Sequence, residues 1–270
     1  EIYSQTSLTQ LAHYLSSRRP DYLPFPIHLK FDTGMHRLGF LPEQLDEALM
    51  FLKQHPNIKV KSVFSHLAAS EDPLMDDFTR KQAEIFEEMA QKTIRTLEYP
   101  VIRHLVNSAG IIRFPEYHFE MVRIGLGLYG IGHDEKTQRS LQLVSKFSSV
   151  ISQIKTIRKG EGIGYNLKWR APADTRIGIV PVGYADGLRR ELSSKGFCFH
   201  VRGHLAPIIG AISMDMCAID LTGIAATEGD PVIIFDNADT IHQLSRLLNT
   251  IPYEILTSIS QRVRRVYLMG

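Results

Sequence analysis

Between residues 26 and 130, short β-rich apolar runs alternate with stretches of helical periodicity, and this succession leaves few folds open to the chain. Ile27-His-Leu29-Lys-Phe31 reads as a strand. A helix is expected from Pro42, where proline suits the first turn and Leu45, Ala48, Leu49 and Leu52 fall on one face. Further strands are expected at Val60 to Phe64, Val101 to Val106 and Met121 to Ile124. A long helix from about Asp76 to Leu97, with Phe78, Ile85, Met89 and Thr93 along one stripe, and a short helix from Ser108 lie between them. Such an order needs crossover connections and so predicts a parallel sheet, either doubly wound or part of a (β/α) barrel. A complete barrel takes about 250 residues. Residues 1–137, taken as one domain, supply about half of one.

After residue 138 the texture changes. Phe197, Phe199 and Val201 alternate with Cys198, His200 and Arg202, and turn signals follow at Gly203-His204 and Gly229-Asp230-Pro231. Short runs at Ile177 to Val182, Ile208-Ile209, Ala218 to Leu221 and Val232 to Phe235 predict an antiparallel β domain over 138–270. Ile241, Leu244 and Leu248 mark one later helix.

Charge excludes some functions. The 31 Lys+Arg and 29 Asp+Glu residues leave a formal net charge of +2, with the basic residues scattered, so nothing points to nucleic acid or an acidic membrane. The dense cluster Arg262-Val-Arg264-Arg265 reads as the solvated face of a strand. Cys198 and Cys217 lack the spacing of a disulfide framework or zinc site, so a reducing cytoplasm and no metal are expected. No apolar run reaches the roughly 20 residues that span a bilayer. The start at Glu1, rather than Met, suggests a longer protein that has been trimmed.

The informative polar residues sit where the α/β strands end. Asp32-Thr-Gly-Met-His-Arg37-Leu-Gly39, Ser65-His66, Asn107-Ser108-Ala109 and Arg123-Ile-Gly125-Leu-Gly127 each follow or close a strand, at the edge where α/β folds build sites. Singly, His66 reads as a hydrogen-bonded structural histidine and Ser108 as the N-cap of the following helix. Together, an N-capped helix start beside Gly125 and Gly127 offers N–H groups to a phosphate. Arg37 and Arg123 at the inner rim require an anionic or acceptor partner. These residues predict a small phosphate-bearing ligand and specify no reaction. In the β domain, Val182-Gly-Tyr184-Ala-Asp186-Gly187 and Gly210-Ala-Ile-Ser-Met214-Asp215 are candidate loops, although taken alone a loop tyrosine is usually packing or a surface anchor and the second run reads as a simple strand–turn.

In order along the chain, LKFDTGMHRLGF (29–40), SHLAAS (65–70), NSAG (107–110), VRIGLGLYG (122–130), IGYN (163–166), VPVGYADGLRR (180–190) and IIGAISMDM (208–216) resemble alanine racemase. That family is of fold-type III: a (β/α)8 TIM-type barrel followed by a C-terminal antiparallel β domain, with pyridoxal 5'-phosphate as cofactor. The resemblance implies interconversion of L- and D-alanine by two bases, for peptidoglycan supply, in a homodimer with shared active sites. It gives Tyr184 the role of the base for the L-enantiomer, reaching the site from the partner subunit. Arg123 would donate to the cofactor's ring nitrogen, and Arg37 would contact its phenolic oxygen near the substrate carboxylate. Ser108 and the backbone at Gly125 and Leu126 would hold the phosphate, His66 would support the catalytic tyrosine, and Met214 would bind the substrate carboxylate through its backbone. Lys30 matches a lysine that some members carbamylate.

Two departures stand out. The family's Schiff-base lysine lies in a Lys-Ala-Asn-Ala-Tyr-Gly-His-Gly context, and no segment here resembles it, so these 270 residues alone are expected to be inactive. Gln261 stands where many members have a tyrosine near the phosphate, which predicts altered cofactor affinity. Alternatives are a non-catalytic pyridoxal-phosphate carrier, which the second domain and Tyr184 disfavour, a related decarboxylase, and the C-terminal module of a fused cell-wall enzyme.

Overall fold

The computed structural model describes residues 1–18 and 23–268. It divides into two compact units, Glu1–Gly127 and Leu128–Gly270, each described by itself below.

In the first unit the strands β1 (Phe25–Lys30), β2 (Ile58–Phe64) and β3 (Ile102–His104) form a parallel sheet in chain order. Parallel bridges extend that order at both sides, Ile2 pairing with Leu29 and Met121 with His104. A doubly wound sheet reverses its strand order at a switch point, whereas a barrel keeps it, and this sheet keeps it. The connections are helices α1 (Gln5–Arg18), α2 (Leu45–Gln54), α3 (Asp76–Leu97) and the short α4 (Ser108–Arg113). The sequence periodicity did not single out α1. On α2 the buried residues are Leu45, Ala48, Leu49 and Leu52, as the pattern predicts.

On α3 the buried face is Thr79, Gln82, Ala83, Phe86, Met89, Ala90 and Thr93, so the expected stripe is corrected. Phe78 is exposed and Ile85 only partly covered, because the face that meets the sheet runs through small and polar positions that hydrophobicity alone does not mark. The core of the unit joins Leu8, Leu29, Val63, Phe86 and Leu105 across the sheet and its helices.

The second unit begins near α5 (Glu135–Gln138), capped by Asp134. Its main sheet uses β4 (Phe147–Val150), β5 (Gln153–Ile157), β8 (Thr175–Val180), β9 (Cys198–Val201), β10 (His204–Ile209), β11 (Cys217–Asp220) and β12 (Pro231–Phe235), while β6 (Gly162–Ile163) and β7 (Trp169–Arg170) pair separately. The antiparallel order is β4-β12-β9-β10-β11-β8-β5. Consecutive β4 and β5 thus occupy its two edges, and the sheet curls so that Ile151 N–H donates to Asp230 O while Ser152 N–H donates to Ile179 O. Arg202 and Gly203, with φ of 50° and 80°, make the two-residue turn of the β9–β10 hairpin, whose twist matches that of its strands. Helices α6 (Ala238–Leu248) and α7 (Pro252–Thr257) follow. Among the described residues, Arg262 to Arg265 form no strand, contrary to the alternation read from sequence. Arg262 is spent on two carboxylates and Arg265 on the carbonyls of a turn. No described helix is long and apolar enough to cross a membrane.

Candidate active site

In the first unit the site is organised by Arg123. Its N–H donates to Val106 O at 3.1 Å, so the segment after Met121 runs beside the end of β3. The guanidinium then bridges the C-terminal ends of two strands. Nη2 donates to Ser65 O at 2.6 Å and Leu105 O at 3.0 Å, and Nη1 donates to His104 O at 3.0 Å. Nη1 also donates to His104 Nδ1 at 2.8 Å, and Nη2 lies 3.3 Å from His66 Nδ1. Among the described residues only Nε–H of this guanidinium lacks an acceptor. Burial lowers the Arg123 pKa to about 10, with the Glu1 carboxylate opposing it, so the group is protonated at neutral pH.

The histidines beside it are neutral. His66 is pushed down to about 4, first by burial and then by the charges on Arg123, Arg37 and Lys30. His104 is likewise pushed down to about 4, by burial, Arg123 and His28. Since Arg123 can only donate, each histidine accepts through Nδ1 and carries its proton on Nε2. That fixes the direction of the contacts behind the site: His104 Nε2–H donates to Ser62 Oγ at 2.9 Å, and the Ser62 hydroxyl donates to His28 Nδ1. The His104 ring stacks on Phe64, centroids 4.8 Å apart, and Arg123 covers the same Phe64 ring at 5.4 Å.

Ser108 is not the N-cap that its position suggests. Asn107 caps α4, its side-chain oxygen accepting from Gly110 N–H at 3.0 Å and from the Ser70 hydroxyl at 2.8 Å. Ser108 Oγ is thereby left to accept from Gly125 N–H at 2.8 Å and Gly127 N–H at 3.2 Å. A hydroxyl and two glycine N–H groups converge on one point.

Lys30 is buried and donates to Glu1 Oε1 at 2.9 Å. Arg37 is exposed in the loop after β1 and forms no ion pair with another described residue; it reaches His66 through charge rather than contact. The loop is pinned by Asp32 Oδ1, which accepts from Gly34 and His36 N–H, and by the Asp32–Phe40 backbone contact. Gly39 permits this closure: its φ is 134°, and a Cβ there would lie 2.5 Å from Asp32 N.

Tyr184 and Met214 belong to the second unit, on two loops in contact. Tyr184 N–H donates to Ser213 O at 3.1 Å and Ala185 N–H to Met214 O at 3.0 Å. Gly183 makes the approach feasible, because a Cβ there would lie 2.3 Å from Met214 O. Asp186 Oδ2 accepts from Gly183 N–H, and Arg262 ties the loops together: Nε donates to Asp186 Oδ1 and Nη2 to Asp215 Oδ1, each at 2.7 Å. Burial opposes ionisation of Asp186, but Arg262 and the Gly183 N–H outweigh it and lower its pKa. Tyr184 is exposed and lines a cleft of about 800 Å³ with Lys168, Trp169, Arg189 and Arg190. Met214 N–H has no acceptor among the described residues. Gln261 lies exposed beside Arg262.

Sequence reasoning missed His104, Ser62, Gln82, Asp186 and Arg262. His104 carried a signal, since it closes a strand at the same edge as the other candidates. The rest act through contacts 42 to 76 residues away along the chain for Ser62, Asp186 and Arg262, which no local pattern marks.

The profile described as "Alanine racemase, N-terminal domain" matches residues 2–133, and "Alanine racemase, C-terminal domain" matches residues 144–267. The chain is 38% identical to an alanine racemase of Sorangium cellulosum over 252 residues, 89% of this chain and 65% of that protein. It is 34% identical to one from Helicobacter pylori, covering 99% of this chain and 71% of the relative. The chain thus spans about two thirds of these relatives, and just under that of the first. Solved alanine racemases of Streptomyces lavendulae and Clostridium difficile superpose with a TM-score of 0.90 each, at 30% and 31% identity, over 100% and 99% of this chain and 72% and 70% of theirs. By sequence along its length and by fold, the chain belongs to the alanine racemase family.

Proposed function

We propose that this chain forms the phosphate- and ring-binding part of a pyridoxal-5'-phosphate site, together with the tyrosine loop, of a cytoplasmic enzyme that interconverts L- and D-alanine for peptidoglycan. The observation that carries the reading is the buried Arg123 guanidinium, held by five acceptors with Nε–H left without one among the described residues. The residues fit the group. Ser108 with the N–H groups of Gly125 and Gly127 makes a seat of the right chemistry for a phosphate, with the backbone at Leu126 between them, and Arg123 keeps its positive charge although His66 and His104 are neutral.

When bound, pyridoxal phosphate supplies an electron sink that acidifies the α-carbon of an attached amino acid. Arg123 then offers a hydrogen bond without surrendering its proton, since its pKa of about 10 lies far above that of an aromatic ring nitrogen. By keeping its proton Arg123 would leave the sink weaker, which favours rapid return of the proton over side reactions. Arg37, exposed and without an ion partner among the described residues, would meet the cofactor's phenolic oxygen and a substrate carboxylate. Met214 N–H, without an acceptor among the described residues, would take the same carboxylate.

Tyr184 is the base on one face of the α-carbon, and racemisation requires a second base on the other. In this reading Tyr184 of the partner subunit faces Arg123 across a head-to-tail homodimer, with His66 supporting its hydroxyl. A carbamate on Lys30 would place on that side chain the negative charge that Glu1 now brings to it. The second base is the family's Schiff-base lysine, which has no counterpart in these 270 residues. Activity is therefore tested on this chain joined to a lysine-bearing barrel segment of a relative. Conversion of L- to D-alanine that Tyr184→Phe abolishes supports the reading. Saturable uptake of pyridoxal phosphate with no exchange of the alanine α-hydrogen in deuterated solvent overturns it.

A further inference from the structure

Gln82 lies in the middle of α3, only 1% exposed, and its amide faces the loop that follows β2. Oε1 accepts from Ala68 N–H at 2.9 Å, while Nε2 donates to His66 O at 3.2 Å and, more weakly, to Thr33 Oγ1 at 3.5 Å. The orientation of the amide is set by chemistry: a backbone N–H can only donate and a carbonyl can only accept, so a flipped Gln82 would oppose both. Thr33 Oγ1 in turn meets Ser65 Oγ at 2.8 Å, and both residues are buried. The loops after β1 and β2 are thus joined behind the site by one side chain.

The same peptide segment is held from the other side by Arg123, which takes Ser65 O at 2.6 Å and His66 Nδ1 at 3.3 Å. Gln82 contacts residues 66 and 68; Arg123 contacts residues 65 and 66. We propose that Gln82 is a positioning residue that fixes the His66 backbone so that the His66 ring stays against Arg123 and the Ser65 carbonyl keeps the guanidinium aimed. A buried amide with a donor and an acceptor at a fixed spacing is needed here. Asparagine is one methylene short, methionine supplies neither group, and glutamate presents a second acceptor to a carbonyl unless it is protonated. The functional weight of this inference rests on the proposed roles of His66 and Arg123, whereas its test needs neither cofactor nor turnover.

The experiment follows the His66 and His104 rings by NMR titration in the chain and in Gln82→Met. In the parent both midpoints are expected near 4, where burial and Arg123 hold the two rings. In Gln82→Met the His66 midpoint is expected to rise by about one unit or more as the ring leaves Arg123, while His104, bound to Arg123 through β3, stays. A folded variant with an unmoved His66 midpoint overturns the proposal, and so does a parallel rise of both midpoints, which would indicate general loosening. Hydrogen exchange of the unmodified chain provides a check free of variants: the Ala68 N–H should be protected like the interior of α3, and exchange at the rate of an open loop overturns the proposal as well. Failure of pyridoxal phosphate to bind would count against the function proposed above and leave these readouts unaffected.

Discussion

Arg123 Nη1 donates to His104 Nδ1 at 2.8 Å, and burial together with that charged contact makes His104 a group that folding keeps neutral. His66 is in the same state, first through burial and then through the same guanidinium. For each, the folded pKa of about 4 lies below the 6.5 of a free histidine, so between those values the unfolded chain binds more protons. The stabilising contribution is complete above pH about 6.5 and is lost as pH falls toward about 4. Urea unfolding at about pH 5 and about pH 7.5 should show the lower midpoint in acid, with a shallower pH dependence in His104→Asn. An equal pH dependence in that variant would remove His104 from the account.

Ser108→Ala removes the acceptor for Gly125 and Gly127 N–H. Two N–H groups pointing at one another's former acceptor lose about 1–2 kcal/mol of stability, and the phosphate seat loses its hydroxyl. Titration with pyridoxal phosphate, followed by absorbance, should show affinity reduced by about tenfold or more. Unchanged affinity would place the phosphate elsewhere.

Gly183→Ala places a Cβ within 2.3 to 2.4 Å of the Met214 and Ser213 carbonyl groups, all backbone atoms that cannot step aside. The loop bearing Tyr184 must then separate from the loop bearing Met214, at a cost of about 1–3 kcal/mol. Chemical denaturation measures the loss. A variant as stable as the parent would show that the close approach is not maintained in solution.

Arg262→Gln leaves Asp186 and Asp215 without the cation that joins them. The amides of Tyr184 and Ala185, which donate to Ser213 and Met214, should then exchange faster with solvent, with little change elsewhere in the second unit. Retained protection at those two amides would assign the joining of the loops to their backbone contacts alone.

Tyr184→Phe deletes one hydroxyl from an exposed ring, so stability should stay within about 0.5 kcal/mol of the parent. In the racemisation assay, turnover from L-alanine should fall by about 10²–10⁴-fold, the range for loss of a general base. A small loss would mean that another group takes the proton.

Local sequence determined the strand-and-helix succession of the first unit, the alternation of the second, and the loops at strand ends where Arg37, His66, Ser108 and Arg123 stand. Periodicity and turn chemistry act over a few residues, and these features are local. Tertiary structure decided what those side chains do. Ser108 looks like a helix cap by position, yet Asn107 takes that role and frees Ser108 to receive Gly125 and Gly127. Arg262 looks like a strand-face residue by alternation, yet it joins two carboxylates, one 76 and one 47 residues away. No local pattern singles out Gln82, yet sheet packing turns it inward onto the His66 loop. Each outcome depends on which segments the fold brings within 3 Å of one another. Hydrogen-bond partners are chosen by that proximity and by the cost of leaving a buried polar group unpaired, neither of which is written in the neighbouring residues.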